Sequence, residues 1–396
     1  NSENPVVAVA KKLKIELCEI NPEKDGPSGI FNIYEKESEY SLPDESDEAL
    51  VLHTSGTTSR PKIVPLTNKN IFSSAENISK SLNLSENDHC LNIMPLFHIH
   101  GLIAILASSM KAGASVCASN GFNAIKFLDM AKSEKITWYS GVPTMHQAIL
   151  LRARRNLEVA KVLKLRLIRS SSASLPPAVF NDLNDVFSCP VIEAYGMTEA
   201  THQMTSNPLP PKQQKAGFVG LPAGPEVCIM NENGEVLKQG DEGEVCIKGE
   251  NVTLGYDNNE EANKTSFTNG WFRTGDQGYF DNEGYLKISG RLKEIINKGG
   301  EKISPLEVDN VLMDHPLIDQ AVCFGYEDKM LGENIASAII IKSGEACSEN
   351  DVLEYAQEKL AKFKIPKKIF FVEEIPKGAT GKLQRNVLAK KFGLNN

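Results

Sequence analysis

Between residues 52 and 70 the chain reads LHTSGTTSRPKIVPLTNKN, where Thr54, Ser55, Gly56, Thr57, Thr58 and Ser59 stand beside Arg60 and Lys62. Hydroxyls, together with backbone N–H groups that a glycine lets a ligand approach, are donors for phosphate oxygens, and the two cations supply charge for the same group. Pro61 between them restricts the chain. A solvated Ser/Thr turn capping a helix that starts near Thr67 accounts for the turn residues. It gives no reason for so many donors beside two cations, so the loop reads as a phosphate cradle. It is not a Walker A loop, because no Gly-Lys-Ser/Thr closes it.

Such a loop needs a frame. From about residue 49 short apolar runs alternate with helical stretches: ALVLH then 67–82, CLNIM then 100–111, ASVCA then 123–133, ITWYS then 143–155, LRLIRS then 176–187, and PVIEAY. That alternation predicts a mostly parallel α/β sheet, with ligands at the carboxyl ends of its strands. The loops to search are then 53–62, 94–101, 140–144, 169–175 and 193–205. After residue 205 the texture changes to β-branched runs separated by Asn-Gly, Glu-Gly and glycine-rich turns, as in VCIMNENGEVL and GEVCIKG, which suggests hairpins. Mixed helix and strand return at 305–396. The expected fold is α/β: a large N-terminal α/β domain (1–205) with a β-rich subdomain (206–292), then a small mobile α+β C-terminal domain (293–396).

Composition bounds the function. A chain of 396 residues, 41% hydrophobic and 24% charged, can bury large cores in more than one domain. A net charge of -8 argues against general binding to nucleic acid or anionic membranes, which need a clustered positive field. The eight cysteines are spread singly, without CxxC or zinc spacing, and read as free thiols of a reducing compartment. No apolar run reaches the roughly 18 residues that span a bilayer, and no secretory leader opens the chain. A cytoplasmic location is expected. The alternative is peroxisomal, although the FGLNN ending is not a Ser-Lys-Leu address. The sequons at Asn77 and Asn251 are then background. The opening NSENPVVAVA, with no initiator Met and inside an amphipathic stretch, suggests that the beginning has been lost.

Four motifs in order, HTSGTTSRPKIVPLT, YGMTEA, RTGDQGYFDNEGYLKISGRLKEIINKGGEKISPLEV and PKGATGKLQR, cover nearly the whole chain from residue 50. Together they resemble the signature of the adenylate-forming superfamily of acyl-CoA synthetases, adenylation domains and luciferases. Members carry a longer first subdomain, so the chain resembles one missing much of it. The resemblance implies ATP, Mg²⁺ and CoA as cofactors: a carboxylate attacks the α-phosphate of MgATP, and a thiol then displaces AMP.

It also implies roles, residue by residue. Glu199, with Thr198 beside it, falls where the family binds Mg²⁺, an ion that needs just one or two carboxylates when it bridges phosphates. Asp276 matches the carboxylate that accepts the ribose hydroxyls, and Arg291 the cation near it. Ser172, Ala173 and Ser174 of SSSASLP, with Tyr195 and Gly196, match the segments flanking the adenine. Lys382 resembles the late lysine that reaches in from the small domain, so the site is complete only when that domain closes. Lys293 occupies the hinge, and Gly299 and Gly300 the face that admits the CoA arm. The basic run 359–368 reads equally as a contact for CoA phosphates and as a solvated face.

His98 in PLFHIHG matches the family histidine at the junction of acyl pocket and thiol tunnel. His98, Ser172 and His202 converge as polar positions where aryl and fatty-acid branches place small or apolar ones. A second carboxylate on the substrate explains them, because donors built for it are left unpaired by a monoacid. TSRPKIVPLT, PLFHIHGL and EAYGMTEATHQMTSNPLPP closely resemble the oxalate–CoA ligase branch of plants and fungi, so oxalate is the expected acid. Malonate-like diacids and 4-coumarate are the alternatives, the latter weakened by Asn297, which stands where the hydroxycinnamate branch has a nucleotide-contacting lysine. Arg169 reads equally as an aid to a diacid and as half of a structural pair. Outside the ligases stand a luciferase, which needs an aromatic pocket, a carrier-protein adenylation domain, and a truncated non-catalytic nucleotide binder. The expected partners are a small carboxylic acid, ATP and CoA.

Overall fold

The computed structural model describes residues 5–18, 20–22, 31–33, 41–54, 61–378 and 381–394. The chain divides into two compact units, Asn1–Asp44 and Glu45–Asn396. In the first, a helix Pro5–Leu13 precedes an antiparallel pair of strands, Ile20–Pro22 and Phe31–Ile33.

The second unit holds a large α/β domain centred on a seven-stranded sheet. Its strands lie in the order Leu221–Pro222, His202–Ser206, Val191–Met197, Leu167–Ser170, Trp138–Gly141, His89–Asn92 and Ser115–Ala118. The five from Val191–Met197 to Ser115–Ala118 run parallel, and the two at the other edge are antiparallel. Strands Trp138–Gly141 and Leu167–Ser170 are buried along their whole length, as central parallel strands covered on both faces must be. Ile78, Phe127, Ile149 and Leu183 of the surrounding helices join Tyr139, Ile168 and Val191 in one core. Each such side chain contributes roughly 1.5–3 kcal/mol when removed from water.

Local signals set the helix starts. Thr67 accepts from the Asn70 N–H at 3.2 Å while the Asn70 side chain accepts from the Thr67 N–H at 2.9 Å, a reciprocal cap that begins the helix Asn68–Ser81. Pro143 and Pro177 open the helices Pro143–Arg155 and Pro177–Phe187, where a missing N–H costs nothing. The 100–111 stretch is helical as expected, but begins as a π-helix over His100–Ala107 before the α-helix Ser108–Lys111.

One expectation is corrected. The ALVLH run does not open the parallel sheet: strand Glu48–His53 pairs antiparallel with Ile63–Thr67 as a separate ribbon. The hydroxyl-rich loop therefore joins two strands of a hairpin and does not run straight into the helix. Pro65 sits in the second strand, which a two-stranded ribbon tolerates because its outer edges need no donor.

After residue 220 the chain forms a five-stranded antiparallel sheet. In it Trp271–Phe280 pairs with Gly243–Lys248 on one side and with Leu286–Arg291 on the other. The small C-terminal domain is built on the long hairpin of Ile318–Asp328 and Gly332–Ile341, with Lys368–Phe371 added in parallel. Alternation along these strands serves two cores. Ala321, Cys323, Ile335 and Ile339 pack with Val308, Leu312 and Val352 of two helices, while Val322, Phe324, Ala336 and Ala338 face Leu388 and Phe370. Arg385 donates to Asp309 at 2.7 Å and to Glu294 at 3.2 Å, fastening the segment that carries Lys382. Among the described residues no helix is long and apolar enough to cross a membrane.

Candidate active site

Two left-handed residues shape the loop after strand Val191–Met197. The strand ends in a single 3₁₀ turn, Thr198–Ala200, and the chain reverses through Thr201 (φ 48°) and His202 (φ 97°). Backbone of this kind persists only where its surroundings over-determine it. Here Asn251 donates to the carbonyls of Ala200 and Gln203 at 2.8 and 2.9 Å, and its own carbonyl accepts from the Thr201 hydroxyl at 2.8 Å. Gly196 must lack a side chain, since a Cβ there would lie 1.8 Å from the His202 carbonyl oxygen.

The turn buries Glu199, whose Oε1 accepts from the Tyr256 hydroxyl at 2.8 Å. Burial and then Glu199 push the Tyr256 phenol up, so it remains a donor. The Lys62 ammonium lies 4.2 Å from the Tyr256 ring centroid; burial and Lys293 lower its pKa, against Glu199. Thr54 is already engaged, its Oγ1 accepting from the Lys62 N–H at 3.2 Å. Ser55, Gly56, Thr57 and Thr58, with Ser59 and Arg60, lie outside the described residues.

Asp276 and Arg291 are register partners on adjacent strands. Arg291 Nε donates to Asp276 Oδ1 at 2.8 Å, and the Tyr195 hydroxyl donates to Oδ2 at 2.5 Å. The carboxylate raises the pKa of Arg291. For the Tyr195 phenol burial is the larger cause and the carboxylate adds to it, so its pKa lies well above the usual value. Lys382 faces the same group: burial and Arg291 lower its pKa to about 8, against Asp276 and Glu199. The structure thus brings Glu199, Asp276, Arg291 and Lys382 into one electrostatic cluster. Thr198 is half-buried beside Glu199, and Ala173 and Ser174 are exposed on the loop after strand Leu167–Ser170.

A second cluster sits beneath. Arg169 is fully buried and has no carboxylate partner among the described residues; it meets Ser140 Oγ at 3.5 Å, His202 Nδ1 at 3.4 Å and Gln203 Oε1 at 3.2 Å. Burial lowers its pKa to about 9, which leaves it charged at neutral pH. His202 Nε2 and Arg169 Nε are buried without a hydrogen-bond partner. His100, passed over in the sequence in favour of His98, lies beside them. Its ring centroid is 5.0 Å from that of His202, Nε2 is 2.6 Å from Ser140 Oγ, and Nδ1 is 3.0 Å from Ser172 Oγ. Burial depresses His100 and His202 well below the usual histidine range and takes His98 to about 4, in the last case with help from Lys382. All three rings are neutral at pH 7.

Lys293 is exposed in the 3₁₀ turn Leu292–Glu294, and Gly299 and Gly300 form the tip of the hairpin joining Ile296–Lys298 to Glu301–Ile303. The Gly299 N–H donates to the Leu331 carbonyl at 2.8 Å. In the basic run, Lys364 is spent on Glu307 at 2.7 Å. Arg169, His100, Gln203 and Tyr256 are the residues that sequence reasoning missed or left undecided. The signals available were Arg169 at its strand end and the second histidine of PLFHIHG.

Residues 3–257 match the family described as AMP-binding enzyme, and residues 307–382 match its C-terminal domain. The oxalate–CoA ligase of Arabidopsis thaliana is 48% identical over 396 residues, which cover 98% of this chain and 77% of that protein. The oxalate–CoA ligase of Saccharomyces cerevisiae is 49% identical over 349 residues, 88% of this chain and 64% of that protein. Among solved structures, ATP-bound MatB from Rhodopseudomonas palustris superposes with a TM-score of 0.88 at 29% identity, covering 99% of this chain and 77% of that one.

Proposed function

We propose that this chain, which belongs to the AMP-binding enzyme family, joins oxalate to CoA at the expense of ATP. It is an AMP-forming acyl-CoA synthetase, an acid–thiol ligase that uses ATP, CoA, Mg²⁺ and a carboxylic acid. In the first step a carboxylate oxygen bonds to the α-phosphorus and pyrophosphate leaves. In the second the CoA sulfur bonds to the acyl carbon, AMP leaves, and the thiol proton is released.

Asp276, held by Tyr195 and Arg291, accepts from the ribose hydroxyls with its remaining lone pairs. Lys382, protonated at neutral pH, stabilises the charge that builds as pyrophosphate departs. His98 stands neutral next to Lys382, at the junction of acid and thiol paths. Among the described residues no group of three His, Cys, Asp or Glu could hold an ion by itself. Mg²⁺ keeps its waters and takes phosphate oxygens, so one carboxylate suffices. Glu199 fits that need, with Oε1 on Tyr256 and the second oxygen accepting no hydrogen bond among the described residues. When bound, the ion neutralises phosphate charge. The small domain, 293–396, turns about Lys293 between the two steps, so that Lys382 serves the first of them.

The observation that carries the choice of acid is Arg169, a buried guanidinium with no carboxylate partner among the described residues, in a buried polar cluster with Ser140, His202 and Gln203 that His100 and Ser172 extend. Oxalate is a dianion at neutral pH. After one carboxylate is adenylated the other remains charged, and Arg169 with the unpaired His202 Nε2 binds it. The two relatives named for oxalate favour the same acid. The test is AMP release from ATP, Mg²⁺ and CoA with oxalate, malonate, 4-coumarate, a medium-chain fatty acid or no acid. Release confined to oxalate is expected. Preference for coumarate or the fatty acid overturns the dianion pocket, and silence with every acid overturns the ligase reading.

A further inference from the structure

Thr144 is the second residue of the helix Pro143–Arg155, directly after strand Trp138–Gly141 at the carboxyl edge of the sheet. A threonine at a helix start commonly spends its hydroxyl on its own helix. This one donates to the carbonyl oxygen of Gly381 at 3.0 Å, 237 residues along the chain. Among the described residues it is the one hydrogen bond between residues 61–288 and 305–394. Gly381 (φ 82°) lies flush on this helix start: a Cβ there would come 3.3 Å from Val142 Cγ2 and 3.5 Å from Thr144 Oγ1.

The next residue is Lys382. Its loop is closed locally by the Gly378 N–H donating to the Lys382 carbonyl at 2.8 Å and by a bridge between Lys377 and Leu383. Those bonds shape the loop but do not place it against the large domain, and neither does Arg385, whose partners Glu294, Asp309 and Cys323 all lie at or beyond residue 294.

We propose that Thr144 is a positioning residue, a latch that holds the Gly381 carbonyl so that Lys382 faces Glu199 and Asp276 during adenylation. It touches no reacting atom. This inference rests on the ligase reading and on Lys382 serving only the first of its two steps. A latch on that loop matters to adenylation and not to thioester chemistry.

The two steps separate experimentally. Adenylation is read as oxalate-dependent exchange of labelled pyrophosphate into ATP. The thioester step is read in reverse, as single-turnover release of CoA thiol from oxalyl-CoA and AMP. Thr144→Val keeps the β-branch and removes the donor. It is expected to slow exchange about fivefold, as the loss of one ordinary hydrogen bond does, with thiol release unchanged. Thr144→Ser restores exchange. Gly381→Ala approaches the same contact from the other side and is expected to give the same split. Equal slowing of both steps, or no slowing of either, overturns the latch. A parent enzyme that performs neither step overturns the ligase reading itself, so the two failures are distinguishable.

Discussion

Arg169→Met tests the pocket and the fold at once, with opposite signs. Burial takes the guanidinium from 12.5 to about 9, which disfavours the charged form by on the order of 5 kcal/mol. Methionine removes that penalty and keeps much of the apolar stem. It also loses the contacts to Ser140, His202 and Gln203, made at 3.5, 3.4 and 3.2 Å, each worth about 1 kcal/mol. Net stabilisation of roughly 2 kcal/mol remains, within the range seen when buried ions are replaced by apolar groups. Thermal unfolding without ligands should therefore shift up by a few degrees. Oxalate loses its charged partner, so kcat/KM for oxalate should fall by about 2–3 kcal/mol, or ~30- to 150-fold. ATP affinity should be unchanged, because Asp276 and Arg291, the residues proposed to bind the nucleotide, make no hydrogen bond to Arg169. A variant that unfolds earlier than the parent, or one that keeps its oxalate kcat/KM, refutes the reasoning.

Two pH experiments follow from the other buried groups. Lys382 is held at about 8, and the role proposed for it needs the charged form, so kcat/KM for ATP should be flat below that value and fall above it; Lys382→Arg should be slower but lack the falling limb, and an unchanged limb would assign it to another group. Glu193 is fully buried, with Oε1 accepting from the Leu175 N–H at 2.8 Å and Oε2 unpartnered, and burial raises it to about 8. Its folded pKa lies above its unfolded value, so the native state holds the proton longer and the stability this contributes is lost as pH rises from about 4.5 to about 8. Glu193→Gln should match the parent near pH 5 and exceed it at pH 8 in denaturant unfolding; equal loss for both proteins across that window would clear Glu193 of the role.

How much of this was legible in the sequence depends on the range of the interaction concerned. Strand and helix alternation located the parallel sheet, and motif residues Ser172 and Glu199 do lie beyond the carboxyl ends of its strands, with His202 opening the antiparallel strand that follows, because periodicity and loop chemistry are local. The adenylate-forming signature fixed the family for the same reason. What sequence could not supply was the company a residue keeps across the fold. LRLIRS places Arg169 on a strand, but that its neighbours are a serine, a histidine and a glutamine, not an acid, follows from the order of four strands in the sheet, with Val191–Met197 between the strand of Arg169 and that of His202 and Gln203. Tyr256 reaches Glu199 across 57 residues, and nothing local marks it. The ribbon strand Ile63–Thr67 was hidden for a different reason: Pro65 reads as a breaker, and only pairing with Glu48–His53 makes its conformation useful.

Charge in the pocket suggests how one small acid is chosen. If His100 and His202 were cationic they would set two further charges beside Arg169, and the single carboxylate left on an oxalyl group could not balance them. Burial comes first in keeping both rings neutral; for His100 the other ring and then Arg169 add to it, and for His202 Arg169 does. The guanidinium is left as the charge in direct contact with the cluster, flanked by Ser140, His202 and Gln203. A monoacid filling the same space would leave the buried Arg169 without a counter-charge. A site built to bind a polar group typically rejects an analogue lacking that group by on the order of 10⁴-fold. Selectivity of that kind comes from the cost imposed on the wrong acid more than from added affinity for the right one. That is why a buried cation that weakens the empty protein can be useful to it.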